Sequence, residues 1–145
     1  MAAPTAGLHL STRVLDALAA HGVERAEVVL HVGPGTFRPG RARDLDPRRP
    51  HPEPFALPRA TAPRIAETRA RGGRGGAVGT ARARVREAGA VEGGSVEARC
   101  GETDLFLLPG SRFRAVDALP TNFHLPRSSL LLLVAAFAGR DPILR

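Results

Sequence analysis

The chain has no tryptophan and no tyrosine, and only 4% of it is aromatic. Its core must therefore be built from aliphatic and small side chains. Much of the 43% hydrophobic fraction is alanine, which removes little area from water per residue. Lysine is absent as well, so all 21 basic residues are arginine. Cys100 is the single cysteine, which excludes an internal disulfide and a multi-cysteine zinc site and fits a reducing compartment. No apolar run approaches the roughly 20 residues that cross a bilayer. Met1-Ala2-Ala3-Pro4 lacks the basic start and apolar core of a signal peptide, so a cytoplasmic chain with no membrane partner is expected.

What is present sets the scale. At 145 residues there is room for one domain with a modest core, and 16 glycines and 13 prolines favour loops over packed elements, so marginal stability is expected. The formal charge of +7 and a pI near 11.5 favour polyanions through phosphate neutralisation, although part of the arginine excess reads as coding bias.

Helical spacing of Val14, Leu15 and Leu18 predicts a helix over residues 12–20, capped by Ser11 or Thr12 and stopped at Gly22. Residues 26–32 read as a buried strand, and residues 33–58, rich in Pro, Gly and Arg, as mostly loop. A helix anchored by Ile65 is expected over 61–71, a strand over 77–80, a helix over 81–88, irregular chain over 89–101 and a strand over 105–108. Strands alternating with helices indicate an α/β unit, a partial three-layer domain with a mainly parallel sheet. The expected core is Leu15, Leu18, Val28, Leu30, Ile65, Val78, Phe106, Leu108, Leu131, Val134 and Phe137.

The most unusual stretch is Thr121-Asn122-Phe123-His124-Leu125-Pro126-Arg127-Ser128-Ser129, which runs into nine apolar residues, 130–138, closed by Gly139. That order predicts a helix buried on all sides, capped by Ser128 or Ser129 and ended by Gly139 in a left-handed turn. The polar cluster before it either caps a core helix or, with free backbone N–H groups and Arg127, holds an anion. Other stretches leave similar pairs of readings open. His31-Val32-Gly33-Pro34-Gly35-Thr36 is a plain turn or a ligand loop at a strand's carboxyl end. His51-Pro52-Glu53 is a solvated pair or an acid–base pair on one strand face; two ligands without a third do not make a metal site. Arg84 and Glu87, three apart, read as a surface ion pair on one helix face. His21 complements a helix C-terminus.

Four stretches together resemble one family. Ala2-Ala3-Pro4-Thr5-Ala6-Gly7-Leu8-His9 is similar to AAPTAGLHF, residues 30–39 (LHVGPGTFRP) to LHVGAGTFRPV, Val78-Gly79-Thr80 to the start of VGTTSVRTLE, and residues 104–139 carry the DLFLLPG and TNFHLPRSSLLLLVAAFAG pattern. This is the pattern of S-adenosylmethionine:tRNA ribosyltransferase-isomerases of queuosine biosynthesis. The resemblance covers nearly all of the chain but only the later part of a family member. It implies residues 1–145 as a single partial α/β domain that lacks the family's separate β-barrel domain and its aromatic-rich tail, with a missing N-terminal portion possible as a separately encoded partner.

The resemblance further implies transfer of the ribose of S-adenosylmethionine, isomerised to an epoxycyclopentanediol, onto the aminomethyl-deazaguanine of tRNA to give epoxyqueuosine. S-adenosylmethionine is the co-substrate, tRNA the partner, and no metal is implied. His31, Glu53 and His124 are the implied catalytic groups; His9, Gly33, Gly35, Thr36, Thr80 and Asn122 the implied S-adenosylmethionine contacts; Arg38, Arg112 and Arg127 the implied RNA contacts. His31, Glu53 and His124 are expected to meet in one concavity with Gly33, Gly35 and Asn122. There are departures. Pro34 replaces an alanine, Arg48 a histidine, Pro50 a methionine, and Ala81-Arg82 two hydroxyl residues. These favour a second reading, a catalytically inactive truncated remnant that binds RNA weakly through its basic surface.

Overall fold

The computed structural model describes residues 5–33, 52–126 and 128–144. After a 3-10 turn at Thr5–His9, the first helix is set locally: α1 (Thr12–Ala20) begins where the Ser11 hydroxyl accepts the Val14 N–H at 3.4 Å and ends before Gly22, at φ 72°. The other helices are α2 (Thr61–Ala70), α3 (Thr80–Ala88), α4 (Ser129–Ala138) and α5 (Arg140–Leu144). Ser128 caps α4 by accepting the Leu131 N–H at 3.2 Å. Gly139 does end α4, but at φ 89° and ψ 154°, an extended mirror conformation and not a left-handed turn.

The sheet corrects the expectation of a mainly parallel one. It has three strands, β1 (Val29–Leu30), β2 (Glu53–Leu57) and β3 (Arg99–Thr103), in the order β1-β2-β3, and both pairings are antiparallel. The central strand lies where loop was expected, and β3 lies in chain expected to be irregular. Residues 105–108 form no strand, nor do 77–80, where Thr80 already belongs to α3 and the neighbouring Gly76 makes only an isolated parallel bridge to Ala118, and the strand expected over 26–32 shrinks to two residues. Pro54 sits in the central strand, where proline is normally excluded; its carbonyl still accepts the His31 N–H at 2.9 Å.

The strand β2 alternates cleanly. Glu53, Phe55 and Leu57 point inward, and Pro54 outward. Phe55 and Leu57 pack with Ala62, Val85, Val96 and Ala115, and burying each large side chain contributes roughly 1.5–3 kcal/mol. Gly89, ending α3, is required by close approach, since a methyl there would come within 2.9 Å of Leu57 Cδ1. A second cluster of Ala77, Ala83 and Val116 takes in Phe113 and Phe137, whose rings meet edge to face at 5.1 Å. None of the eleven expected core residues is among the fully buried ones. Val28, Leu30, Ile65 and Phe137 pack at the margins, while Leu18, Phe106 and Leu108 are exposed. In α4 only Leu133 and Ala135 are buried, so that helix is not enclosed on all sides.

The enclosed helix is α3, in which Thr80 and the run Ala83–Arg86 are buried. On it, Arg84 and Glu87 do not pair with each other. The Glu87 carboxylate accepts three backbone N–H groups, from Arg114 at 2.8 Å, Ala115 at 2.9 Å and Val116 at 2.9 Å, and so fixes the loop that delivers Ala115 and Val116 to both cores. Truncating Glu87 to alanine leaves these donors without their acceptor. We expect Glu87→Ala to lose about 2–4 kcal/mol in chemical denaturation, and Glu87→Gln, which keeps one acceptor oxygen, to lose less.

Candidate functional site

Two groups of residues meet on α3. The first is built around Glu53, buried at the start of β2. One carboxylate oxygen, Oε1, accepts the N–H of Gly33 at 2.8 Å, and the other, Oε2, receives Nη1 of Arg84 at 2.5 Å. The two side chains are 5% and 7% exposed. Arg84 Nε donates to the carbonyl of Leu105 at 3.2 Å, while its Nη2 is buried with no hydrogen-bond partner. Thr103, opposite Glu53 in the β2–β3 register, is buried too, and its hydroxyl accepts the Leu105 N–H at 3.1 Å. The exit of β1, the start of β2, the exit of β3 and the middle of α3 are thus joined through one ion pair.

The second group surrounds the N-terminus of α3. Gly79 precedes it without any side-chain cap, and its N–H donates to Pro120 O at 2.8 Å, which docks the chain just before Thr121-Asn122-Phe123-His124. The 3-10 turn at Thr5–His9 approaches from another side: a methyl on Gly79 would lie 3.4 Å from Ala6 Cβ, and one on Gly7 would lie 3.5 Å from Arg82 Nη2. Thr80 opens α3 and Arg84 follows four residues later, so the two share a helix face and link the groups. Uncapped N–H groups at a helix start favour anions.

Among the described site residues, Gly33 and Glu53 meet at Arg84 of α3 and Thr80 opens that helix. Gly33 and Glu53 are bonded directly. His31 is held only through its backbone, and its side chain is exposed. Asn122 and His124 are half-buried beside the α3 start; His124 Nε2 bonds to Thr121 Oγ1 at 3.2 Å. His9 and Arg112 are exposed. Gly35, Thr36, Arg38 and Arg127, with Arg48, Pro50 and His51, lie outside the described residues. The residue that sequence reasoning missed is Arg84, read as half of a surface pair with Glu87. The signal was in the VGTTSVRTLE pattern: aligned from Val78, its arginine and glutamate fall on Arg84 and Glu87. Among the described residues, no group of three His, Cys, Asp or Glu side chains could hold a metal ion, and no helix is long and apolar enough to cross a membrane.

The model of the family described as queuosine biosynthesis protein matches residues 1–145. This chain belongs to that family. It is 55% identical over its whole length to the S-adenosylmethionine:tRNA ribosyltransferase-isomerase of Thiobacillus denitrificans and 52% identical to that of Geobacter sulfurreducens, in each case spanning 42% of the relative. It superposes on the crystal structure of S-adenosylmethionine tRNA ribosyltransferase from Thermotoga maritima with a TM-score of 0.76 and 44% identity, covering 96% of this chain and 43% of that one. The chain thus spans about two fifths of the length of these family members, and the mixed α/β character expected from sequence stands.

Two outcomes follow from the geometry. Breaking the buried ion pair from one side strands a charge, so Glu53→Gln and Arg84→Met should each cost about 3–5 kcal/mol, while the double variant costs clearly less than their sum in a denaturation double-mutant cycle. Burial pushes the His124 imidazole below its ordinary 6.5. The unfolded chain then takes up the proton at higher pH than the native state, so the His124 contribution is intact above 6.5 and is lost as pH falls below it. NMR titration should place the His124 midpoint below 6.5, and His124→Asn should reduce the acid-side loss of stability.

Proposed function

We infer that this chain carries part of the site that transfers and isomerises the ribose of S-adenosylmethionine onto the aminomethyl-deazaguanine of tRNA, giving epoxyqueuosine. The observation that carries the reading is the meeting of the four family motifs on α3: Thr5–His9 and the Pro120–His124 segment at its N-terminus, Gly79-Thr80 at its start, and Gly33 with Glu53 at Arg84. Residues 1–145 act in this reading as one α/β unit of the catalytic domain.

The chemistry requires a base for the C–H beside the sulfonium and an acid for departing adenine. Glu53 is held by the Gly33 N–H and by Arg84, which balances its charge, so in this reading it fixes the Gly33 loop against α3 for the co-substrate. His124, kept neutral by burial, is suited to accept a proton, and His31 stands exposed at the mouth of the Gly33 loop. Thr80, Asn122, His9 and Gly33, with Gly35 and Thr36, hold S-adenosylmethionine; Arg38, Arg112 and Arg127 contact tRNA phosphates.

The test incubates the 145-residue chain with labelled S-adenosylmethionine and precursor tRNA, alone and with the unmatched portion of a relative added in trans. We expect adenine release and labelled tRNA only in the combined reaction, because misplacing reacting groups by an ångström costs about 100-fold. Glu53→Gln and His124→Asn should each lower that rate by roughly 100-fold or more. If the combined reaction releases no adenine, the transferase reading fails and the inactive, RNA-binding remnant replaces it.

A further inference from the structure

Away from the Glu53 site, a second cluster of buried cations has more donors than acceptors. Arg86 of α3 is 6% exposed, and only its Nη1 is bonded, to Gly76 O at 3.2 Å; its Nε and Nη2 are buried without partners. Burial, and after it the charge of Arg69 on α2, lower the pKa of Arg86, against the opposing pull of Asp117 and Glu87. The Nε of Arg69 is likewise buried and unpartnered. The carboxylates nearby are already committed. Asp117 accepts Arg69 Nη2 at 3.1 and 3.3 Å and the Gly75 N–H at 2.8 Å, and Glu87 accepts the three backbone N–H groups of the 114–116 loop. Three guanidinium nitrogens, Arg86 Nε and Nη2 and Arg69 Nε, are thus left facing no acceptor. Unmet donors on buried cations are costly, and an acceptor-only ligand is their natural complement.

Arg69 and Arg86 line a groove of about 1260 Å³ that runs between α1 with the following segment on one side and α2 with the glycine-rich 73–76 segment on the other. Its walls are tied by Thr61 Oγ1 donating to Glu27 O at 2.6 Å and Arg64 Nη1 to Arg25 O at 2.8 Å. Arg25 and Arg74 stand exposed on its rim, and of its acidic residues Glu24 is paired with Arg71 at 2.9 Å. The groove is partly apolar and holds Asp16, Glu24 and Glu27 against seven arginines; a groove far larger than one ion with that excess of cations matches a chain of phosphates better than a single free anion.

We propose that this groove binds an RNA backbone, with one phosphate oxyanion accepting from Arg86 and Arg69 and the flanking phosphates accepting from Arg74 and Arg25. Gly75 is part of the site, because a methyl there would run into the Arg86 guanidinium. This rests on the tRNA-directed reading above, but it concerns a surface distinct from Glu53 and His124.

The test measures binding of a labelled RNA hairpin by fluorescence anisotropy over a salt series, with circular dichroism as the folding control. Arg74→Glu and Arg86→Gln should each weaken binding about tenfold and lower the salt slope by about one. Gly75→Ala should weaken it similarly with no change of charge, and Arg140→Glu, exposed on α5, should leave it unchanged. Should Arg86→Gln fail to fold, Arg74→Glu and Gly75→Ala decide. Wild-type affinity and salt slope in both overturn the proposal, as does inorganic phosphate binding that is lost in Gly75→Ala while RNA affinity is not. Loss of ribosyl transfer with RNA binding intact counts against the active-site reading alone.

Discussion

The arrangement of this molecule depends on burying α3, a helix that carries two arginines within its enclosed run Ala83–Arg86. Taking a guanidinium out of water costs several kcal/mol unless a carboxylate and further acceptors replace the lost hydration. For Arg84 the carboxylate is Glu53, and meeting it requires β2 to lie directly against α3, with Gly33 and Leu105 completing the contacts. Phe55 and Leu57 follow Glu53 on the same strand face, so the ion pair and the apolar core impose the same register. Glu87 does for the 114–116 loop what Glu53 does for β2.

The same burial accounts for where function can reside. The start of α3 offers uncapped N–H groups beside the segments carrying His9 and His124, and four residues on the same face presents Arg84 with Glu53. Two turns of one rigid helix therefore hold anionic and cationic features at a fixed separation, which loops could not do alone. Ala81 and Arg82, replacing hydroxyl residues of the family pattern, stand in the first turn of that helix, and Arg82 bonds back to Val78 O at 2.7 Å. The backbone donors survive that change; the side-chain hydroxyls do not.

Helices were legible because their signals are local. Ser11 and Ser128 cap as their neighbours suggest, and Gly22 and Gly139 stop the chain. Strands were not. Arg99-Cys100-Gly101-Glu102-Thr103 shows no alternation because only Thr103 is buried, and Pro54 disguises the central strand. The core was misjudged for a related reason. Large aliphatic residues concentrate in α4, which is mostly half-buried, while the enclosed centre combines Phe55, Leu57 and Val85 with alanines 77, 83 and 115, whose small size permits close packing around α3.

By itself, the sequence determined the family, the α/β character, the caps of α1 and α4 and the identity of the motif residues, since each of these is written in contiguous residues. Only the tertiary structure decided that the sheet is antiparallel, that Arg84 belongs to Glu53 and not to Glu87, and that Arg86 is buried with donors to spare. Those outcomes depend on which residues far apart in the chain come together, β2 with β3 and Glu53 with Arg84, and spacing along the chain does not encode such long-range pairings.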